Sequence, residues 1–263
     1  MAHPVSIHWF RQDLRLADNP ALTAAALDGA VIPVYILDDD HAGDHKMGSA
    51  SRWWLHHTLR ALNDSLDGKL VVLRGDPVTH LGSLAEASGA VSVHWNRCYE
   101  PWRIARDTAI KAELAALGLV VESHNGSLLW EPWEVTKADG TPYRVFTPFF
   151  RRGCLAAPPP RQPLPVPSQL VLAATDNQAA GIDGLQLLPN TDWDKMLALH
   201  WQIGEAGAIA RLAAFIDKDL FGYKDGRTFQ PCPMCRGCRR ICTGARCHQT
   251  RCGMPPKTGW TPV

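Results

Sequence analysis

The chain has 263 residues, with 27 basic and 26 acidic side chains, a formal net charge of +1 and 46% hydrophobic residues. This length suffices for one large domain or two small ones, and the composition argues against a disordered chain and against a histone-like polycation. The first residues lack a cationic segment followed by an apolar one, and no apolar run reaches about 18 residues. We therefore predict neither a signal peptide nor a membrane span, and we expect a soluble cytoplasmic protein.

Tryptophan and cysteine are used unevenly. The ten Trp are a high number, and we interpret most of them as packing residues because the indole ring is bulky and rigid. Of the eight Cys, Cys98 and Cys154 lie in the first 231 residues, and the other six lie in the last 32. The chain therefore changes character near its C-terminal end.

Short β-branched apolar runs alternate with longer helical patterns over the first 150 residues. The predicted strands are 5–10, 30–37, 70–75, 91–95 and 119–123. The predicted helices are 20–27, 50–66, 78–87 and 102–117, the first of them capped by Asn19 with Pro20 at its first position. This alternation is typical of βαβ units and predicts a doubly wound α/β fold with a parallel sheet.

Doubly wound sheets bind ligands at the carboxyl ends of their strands. The loops expected there are RQDLRLADN, DDDHAGDHKMGS, RGDP and NRCYEPW, and none contains G-x-G-x-x-G or G-x-x-x-x-G-K-[ST]. The sequence therefore does not indicate an ordinary dinucleotide-dependent dehydrogenase or a P-loop enzyme.

A proline-rich stretch, AAPPPRQPLPVP, follows residue 155 and predicts an extended linker and a domain boundary. Residues 168–203 show little periodicity and are interpreted as a long connector. An amphipathic helix is then predicted from residue 204 onward, with Ile209, Leu212, Phe215 and Ile216 on one face that needs a partner. The predicted divisions are a domain at 1–155, a linker at 156–203, the start of a helical domain at 204–229 and a tail at 230–263.

Five motifs, spread in order along the chain, resemble the DNA photolyase and cryptochrome family. They are WFRQDLRLADNPAL, GSASRWWL, NRCYEPW, GTPYRVFTPFFRR and FGYKDGR. The resemblance extends from residue 5 to about residue 229, and within the family the chain looks most like bacterial deoxyribodipyrimidine photolyases.

This resemblance implies a light-driven carbon–carbon lyase that repairs UV-damaged DNA. Family members bind FAD in an all-helical C-terminal domain and an antenna pigment, methenyltetrahydrofolate or a deazaflavin, near the α/β domain. The excited reduced flavin donates an electron to a pyrimidine dimer flipped out of the duplex, and flipping is needed because stacked bases are out of reach. A monomer that binds damaged DNA without a membrane is expected.

The resemblance assigns roles to four residues. Tyr223 matches a tyrosine that contacts FAD, and Arg227 matches a basic residue that contacts DNA phosphate. His45 and Glu100 match positions that line the antenna site, where a carboxylate can accept hydrogen bonds from a pterin. The sequence is also consistent with His45 as a surface-loop histidine and with Glu100 as an acid whose charge interacts favourably with the dipole at a helix N-terminus. Both alternatives stay open.

Two further groups are interpreted as structural. Arg11, Asp13 and Arg15 alternate in the first loop, and we expect an ion-pair network that stabilises the sheet there. The adjacent Trp53 and Trp54 are expected in the core against the sheet rather than in an electron relay.

The tail carries a metal-like spacing. Cys232, Cys235, Cys238 and Cys242 follow the C-x2-C-x2-C-x3-C pattern of iron–sulfur proteins, and zinc is an alternative. However, the codons for residues 235–255 can be read in a second frame that starts at the third base of each codon. In that frame they can encode SRLSPHLHWGEMSPNQVWHA, which resembles the family's FAD-phosphate segment. We therefore interpret the tail as a frameshift product that is disordered, because it has few apolar residues to offset ordering entropy.

The main hypothesis is thus the N-terminal part of a deoxyribodipyrimidine photolyase, expected to be inactive as written because the helical FAD domain is largely absent. A cryptochrome-type light sensor, a free-standing α/β antenna module and a metal-binding tail on an α/β module are the alternatives.

Overall fold

The structure, a computed structural model, describes residues 4–173, 175 and 181–226. Within these residues, five parallel strands form one sheet in the order β3-β2-β1-β4-β5. The strands are β1 (Val5–Phe10), β2 (Ala30–Leu37), β3 (Val71–Arg74), β4 (Ala90–Asn96) and β5 (Val120–His124). The predicted α/β class with a parallel sheet is confirmed, and the order reverses between β1 and β4.

Four long helices connect the strands: α1 (Pro20–Asp28), α2 (Ser49–Ser65), α3 (Pro77–Ser88) and α4 (Pro101–Ala116). The start of α1 is as predicted, because the Asn19 side chain accepts a hydrogen bond from the Leu22 amide at 3.0 Å and Pro20 occupies the first turn. The start of α3 repeats this arrangement with Asp76, which accepts from the Thr79 amide at 2.8 Å.

The helices cover both faces of the sheet and so form two apolar cores. One core joins α1 and α2 to β1–β3 and is built around Phe10, Leu22, Leu37, Leu59 and Leu66. The other joins α3 and α4 to the opposite face and is built around Ile7, Trp9, Leu81, Trp95 and Leu114. This two-sided burial explains why the strands are apolar on both faces.

The connector after residue 155 packs against the α/β unit over much of its length. Asp18 accepts hydrogen bonds from the Arg161 guanidinium at 2.6 Å and the Leu164 amide at 3.1 Å. The Val31 amide donates to the Val171 carbonyl at 2.8 Å, next to the short β3. Leu185 and Leu187 are buried in the first core. The boundary between 155 and 156 stays a prediction, but the connector contributes to the core.

The second half of the described chain contains several short helices. Some of them lie in residues 168–203, for which the sequence predicted no regular structure. The short helices are α5 (Phe146–Pro148), α6 (Gly181–Gly184), α7 (Lys195–His200), α8 (Glu205–Ala214) and α9 (Tyr223–Gly226). Residues Phe149–Cys154 and Phe215–Asp219 form wider π turns, and Gly43–His45 and Asp192–Asp194 form 3-10 turns.

The predicted apolar stripe of α8 is only partly covered in the described part of the chain. Leu212 is buried, whereas Ile209 is 44% and Ile216 52% exposed. The structure describes no residue after 226. No helix among residues 4–173, 175 and 181–226 combines the length and apolarity needed to cross a membrane.

Candidate functional site

A cleft of about 560 Å³ lies at the carboxyl ends of β1 and β2, between α2 and the first turns of α4. Its volume falls within the ~300–1,000 Å³ typical of small-molecule sites. Five of the ten tryptophans line it: Trp9, Trp53, Trp54, Trp102 and Trp201. Trp9 and Trp53 are buried, in agreement with the interpretation of most tryptophans as packing residues, whereas Trp54, Trp102 and Trp201 are half-buried.

Arginine side chains alternate with indole rings along one wall. The guanidinium carbon of Arg106 lies 5.3 Å from the centroid of Trp9 and 5.2 Å from that of Trp102. Arg103 lies 4.9 Å from the centroid of Trp102 on the same helix. Such cation–π contacts hold the planar groups in fixed positions. The wall therefore presents flat surfaces edged with positive charge.

Two carboxylates fix Arg106 between the rings. Its Nη1 donates to Asp38 Oδ2 at 3.0 Å, and its Nη2 donates to Asp107 Oδ1 at 2.8 Å. Asp107 also pairs with Arg11. The Arg106 side chain is 9% and the Asp38 side chain 3% exposed, so the contacts are shielded from water and strongly oriented.

The opposite wall is completed by the segment around α7. The Trp53 Nε1 group donates to Asp194 Oδ2 at 3.0 Å, and the Trp54 ring meets the Trp201 ring edge-on at 5.4 Å between centroids. Trp53 is buried, as the sequence predicted. Trp54 is half-buried and faces the cleft, so the prediction of a core position does not describe it.

Three buried donors of the cleft residues lack a hydrogen-bond partner within the described part of the chain. They are Trp9 Nε1, Arg11 Nε and Arg103 Nε. Buried N–H groups are nearly always satisfied in folded proteins, so each such donor calls for an acceptor. These atoms have almost no accessible surface, so a ligand in the cleft could reach them only if neighbouring side chains moved.

The residues predicted for the antenna site lie at the rim of this cleft rather than in its wall. The exposed His45 ring is parallel to Trp102, with the centroids 6.2 Å apart. Glu100 precedes α4 and makes long contacts with Gln12 at 3.4 Å and Arg103 at 3.5 Å. Because Trp102, Gln12 and Arg103 line the cleft, both predicted residues touch its lining, and their roles stay predictions.

The residues predicted to contact FAD and DNA lie far along the chain. Tyr223 begins α9, is 38% exposed and packs edge-on against Phe215 at 5.6 Å. Arg227 and the four tail cysteines Cys232, Cys235, Cys238 and Cys242 lie outside the described residues. The predictions made for them stay predictions.

A buried polar network lies next to the cleft, in the loop after β1, where the strand order reverses. Arg11, Asp13 and Arg15 are all nearly inaccessible. Asp13 Oδ1 accepts the Arg11 amide at 2.9 Å, and Arg15 Nη2 donates to the carbonyl of Gly126 at 2.7 Å. Burial alone would raise the pKa of Asp13, but His8 and the hydrogen bond from Asn96 lower it.

The network therefore has the structural character that the sequence predicted, but it is buried rather than exposed. Breaking one buried pair typically costs about 3–5 kcal/mol because the remaining charge is left without a partner.

Sequence reasoning missed Trp102, Arg103 and Arg106 as cleft residues. One signal could have found Trp102 and Arg106: they are four residues apart in a helix that follows the carboxyl end of a strand, so they share a face. The contribution of Trp201 had no such signal, because it depends on how the connector folds back.

Comparison with known proteins places this architecture in a family. The family model described as DNA photolyase matches residues 6–168. The chain belongs to the DNA photolyase family. It is 43% identical over 232 residues to a deoxyribodipyrimidine photo-lyase of Agrobacterium fabrum, covering 86% of this chain and 48% of the relative.

Two further relatives show the breadth of this DNA photolyase family. Cryptochrome-1 of Arabidopsis thaliana is 36% identical over 231 residues, which cover 84% of this chain and 33% of the relative. A crystal structure of a class III photolyase from Agrobacterium tumefaciens superimposes with a TM-score of 0.86 at 39% identity, covering 94% of this chain and 51% of that one. The chain thus spans about half the length of these photolyases.

Proposed function

We propose that this chain is the light-collecting part of a deoxyribodipyrimidine photolyase, a lyase that uses FAD and blue light to split pyrimidine dimers in DNA. The cleft is the observation that supports this proposal, because it offers a planar pigment several flat indole surfaces and anchored positive charge. The identity to the Agrobacterium fabrum photo-lyase supports repair as the activity.

The cleft residues fit an antenna pigment. Trp54, Trp102 and Trp201, which line the cleft and are half-buried, offer indole surfaces for a folate pterin or a deazaflavin ring. Arg103 and Arg106 in the cleft wall would attract the carboxylates of a folate tail or the acidic side chain of a deazaflavin. When bound, the pigment supplies light absorption and passes its excitation energy to the flavin.

For FAD, the described residues offer only part of a site. Tyr223 has an accessible ring at the end of the described chain, and its role as an FAD contact is part of the proposal. Arg227, proposed to bind DNA phosphate, follows four residues later. Because this chain covers 48% of the Agrobacterium fabrum photo-lyase, we propose that the 263-residue chain does not repair DNA by itself.

A chimera tests the proposed activity. Residues 1–226 of this chain would be joined to the remaining C-terminal part of the Agrobacterium fabrum relative, and dimer repair would be measured under blue light and in the dark. The proposal predicts bound FAD and light-dependent repair. A chimera that binds FAD and pigment without repairing dimers would contradict it.

Cryptochrome-type light signalling is the second candidate, favoured by the 36% identity to Arabidopsis Cryptochrome-1. The chimera does not separate the two functions, because its FAD-binding half comes from a photo-lyase. The protein encoded after the frame correction tested below would separate them, since a signalling protein predicts light-dependent flavin reduction without loss of dimers.

We also propose that residues 230–263 are a frameshift product. Sequencing the DNA across the codons for residues 229–235 tests it. A single-base change that restores the family's FAD-phosphate segment supports it, and an intact reading frame contradicts it.

A further inference from the structure

Two imidazoles and a carboxylate converge on strands β4 and β5, and none of them lines the cleft. His94 lies on β4 directly opposite Glu122 on β5. His124 follows Glu122 by two residues, so both side chains point to the same face of the sheet. The three ligand atoms therefore come from neighbouring positions on a rigid pair of strands.

The distances between the donor atoms match those around one metal ion. His94 Nδ1 lies 3.5 Å from His124 Nε2 and 3.9 Å from Glu122 Oε2, and His124 Nε2 lies 3.5 Å from the same oxygen. Tetrahedral zinc with bonds of ~2.0–2.1 Å separates its ligand atoms by about 3.3–3.4 Å. Side-chain shifts of a few tenths of an ångström would complete the geometry.

These separations are too long for ordinary hydrogen bonds. Nitrogen–oxygen and similar hydrogen bonds usually measure about 2.7–3.2 Å. The three groups thus face one another without satisfying one another well. That arrangement is expected where lone pairs are directed at a shared cation.

A second set of contacts orients the buried histidine for this role. His94 Nε2 lies 2.8 Å from Asp28 Oδ2 and 3.1 Å from Ser92 Oγ, and Ser92 Oγ itself donates to Asp28 at 2.9 Å. Because a carboxylate only accepts, Nε2 carries the proton, and the tautomer that binds a metal is the one in which Nδ1 keeps its lone pair. A carboxylate behind the ligating imidazole is the usual outer partner of zinc-binding histidines.

We propose that His94, Glu122 and His124 bind one divalent transition-metal ion, zinc first, with Asp28 as the positioning residue for His94. Imidazole and carboxylate ligands suit zinc, copper and nickel. The Glu122 side chain is 52% exposed, so the fourth coordination position faces solvent and takes a water or a small anion. Three protein ligands with one open position are typical of catalytic rather than purely structural zinc sites.

Zinc titration of the full 263-residue chain tests this proposal. Because the tail cysteines would bind zinc as well, the thiols are first alkylated with iodoacetamide, and the protein is prepared without a histidine tag and stripped with a chelator. Calorimetric titration with Zn²⁺ alone is expected to give one ion per chain. Loss of an outer partner already weakens metal binding about 10–100-fold, so Asp28→Asn is expected to fall in that range.

Loss of a direct ligand is expected to weaken binding at least about 100-fold, beyond the range for an outer partner. Glu122→Gln and His124→Asn make this change at partly exposed positions, so both variants are expected to fold. The matched controls are Glu86→Gln and His200→Asn, which are exposed elsewhere on the surface and should bind zinc like the wild type.

The visible absorption spectrum of bound Co²⁺ reports which atoms coordinate the metal. Co²⁺ bound to the alkylated wild type is expected to show visible bands of nitrogen and oxygen ligation, which Glu122→Gln and His124→Asn lose. Zinc affinity that is the same in the wild type and both ligand variants, or no zinc binding by the alkylated wild type, would overturn the proposal.

Discussion

The Glu205 carboxylate binds the backbone of Leu16. Its Oε2 accepts the Leu16 amide at 2.8 Å, and its Oε1 accepts the next amide, that of Ala17, at 3.0 Å. Glu205 is the first residue of α8, whereas Leu16 lies in the loop after β1. One carboxylate therefore ties the start of α8 to the loop after β1, at the point where the strand order reverses.

Replacing Glu205 by Gln is expected to destabilise the chain by about 1–3 kcal/mol, because one of the two amides would face an NH2 group instead of an acceptor. Urea unfolding, followed by tryptophan fluorescence and circular dichroism, measures this change. Asp217→Asn, an exposed substitution after α8, serves as the control and is expected to change stability little. Equal stability of both variants would contradict the anchoring role.

His8 is expected to make stability depend on pH. It is fully buried, and burial lowers its pKa from 6.5 to about 3 despite the opposing charge of Asp13. The unfolded chain therefore takes up a proton near pH 6.5 that the folded chain does not. The contribution of the neutral, buried His8 to the free energy of unfolding is fully present above about pH 6.5. It is lost as the pH falls toward 3, by up to about 1.4 kcal/mol per pH unit.

Urea unfolding at about pH 7 and about pH 5.5 measures this effect, and the wild type is expected to lose about 1 kcal/mol through His8 between these values. The matched variant is His8→Gln, in which that part of the pH dependence disappears even though the variant is less stable overall. An identical pH dependence in both proteins would show that His8 does not take up a proton on unfolding.

Gly126 is expected to tolerate no side chain. A Cβ there would lie 2.7 Å from Asn96 Oδ1, and the Asn96 amide in turn donates to Asn19 at 2.7 Å and to Asp13. Gly126→Ala should therefore displace Asn96 and destabilise the fold by about 1–3 kcal/mol, as overpacked cores do.

Thermal and urea unfolding of Gly126→Ala measure this cost. Gly48→Ala is the control, because a Cβ at Gly48 meets no atom within 4 Å and the backbone there has a negative φ of −73°. If Gly126→Ala is as stable as Gly48→Ala, the buried network does not depend on close packing at Gly126.

Much of the α/β unit could be predicted from the sequence because its signals are local. Asn19 followed by Pro20 marks a helix start, and the apolar runs mark strands that the structure places within one or two residues. The sequence predicted no order for the strands, since pairing between distant segments leaves little local trace.

The candidate site was less predictable because its walls come from distant parts of the chain. Trp54 and Trp201 meet only after the connector has folded back over α2. His45 and Glu100 were found through the resemblance and lie at the rim, whereas Arg106 acquires its position from Asp38 and Asp107. Composition showed the excess of tryptophan but not where the rings gather.

Binding of methenyltetrahydrofolate to the purified 263-residue chain tests the central claim most directly. The dissociation constant is measured from quenching of tryptophan fluorescence for the wild type, Trp102→Ala in the cleft wall and Trp133→Ala, whose ring is 65% exposed and does not line the cleft. The account predicts one pigment per chain, affinity at least about tenfold weaker in Trp102→Ala, a change of about 1.4 kcal/mol, and unchanged affinity in Trp133→Ala. Equal affinity in all three proteins, for this pigment and for a deazaflavin, would contradict it.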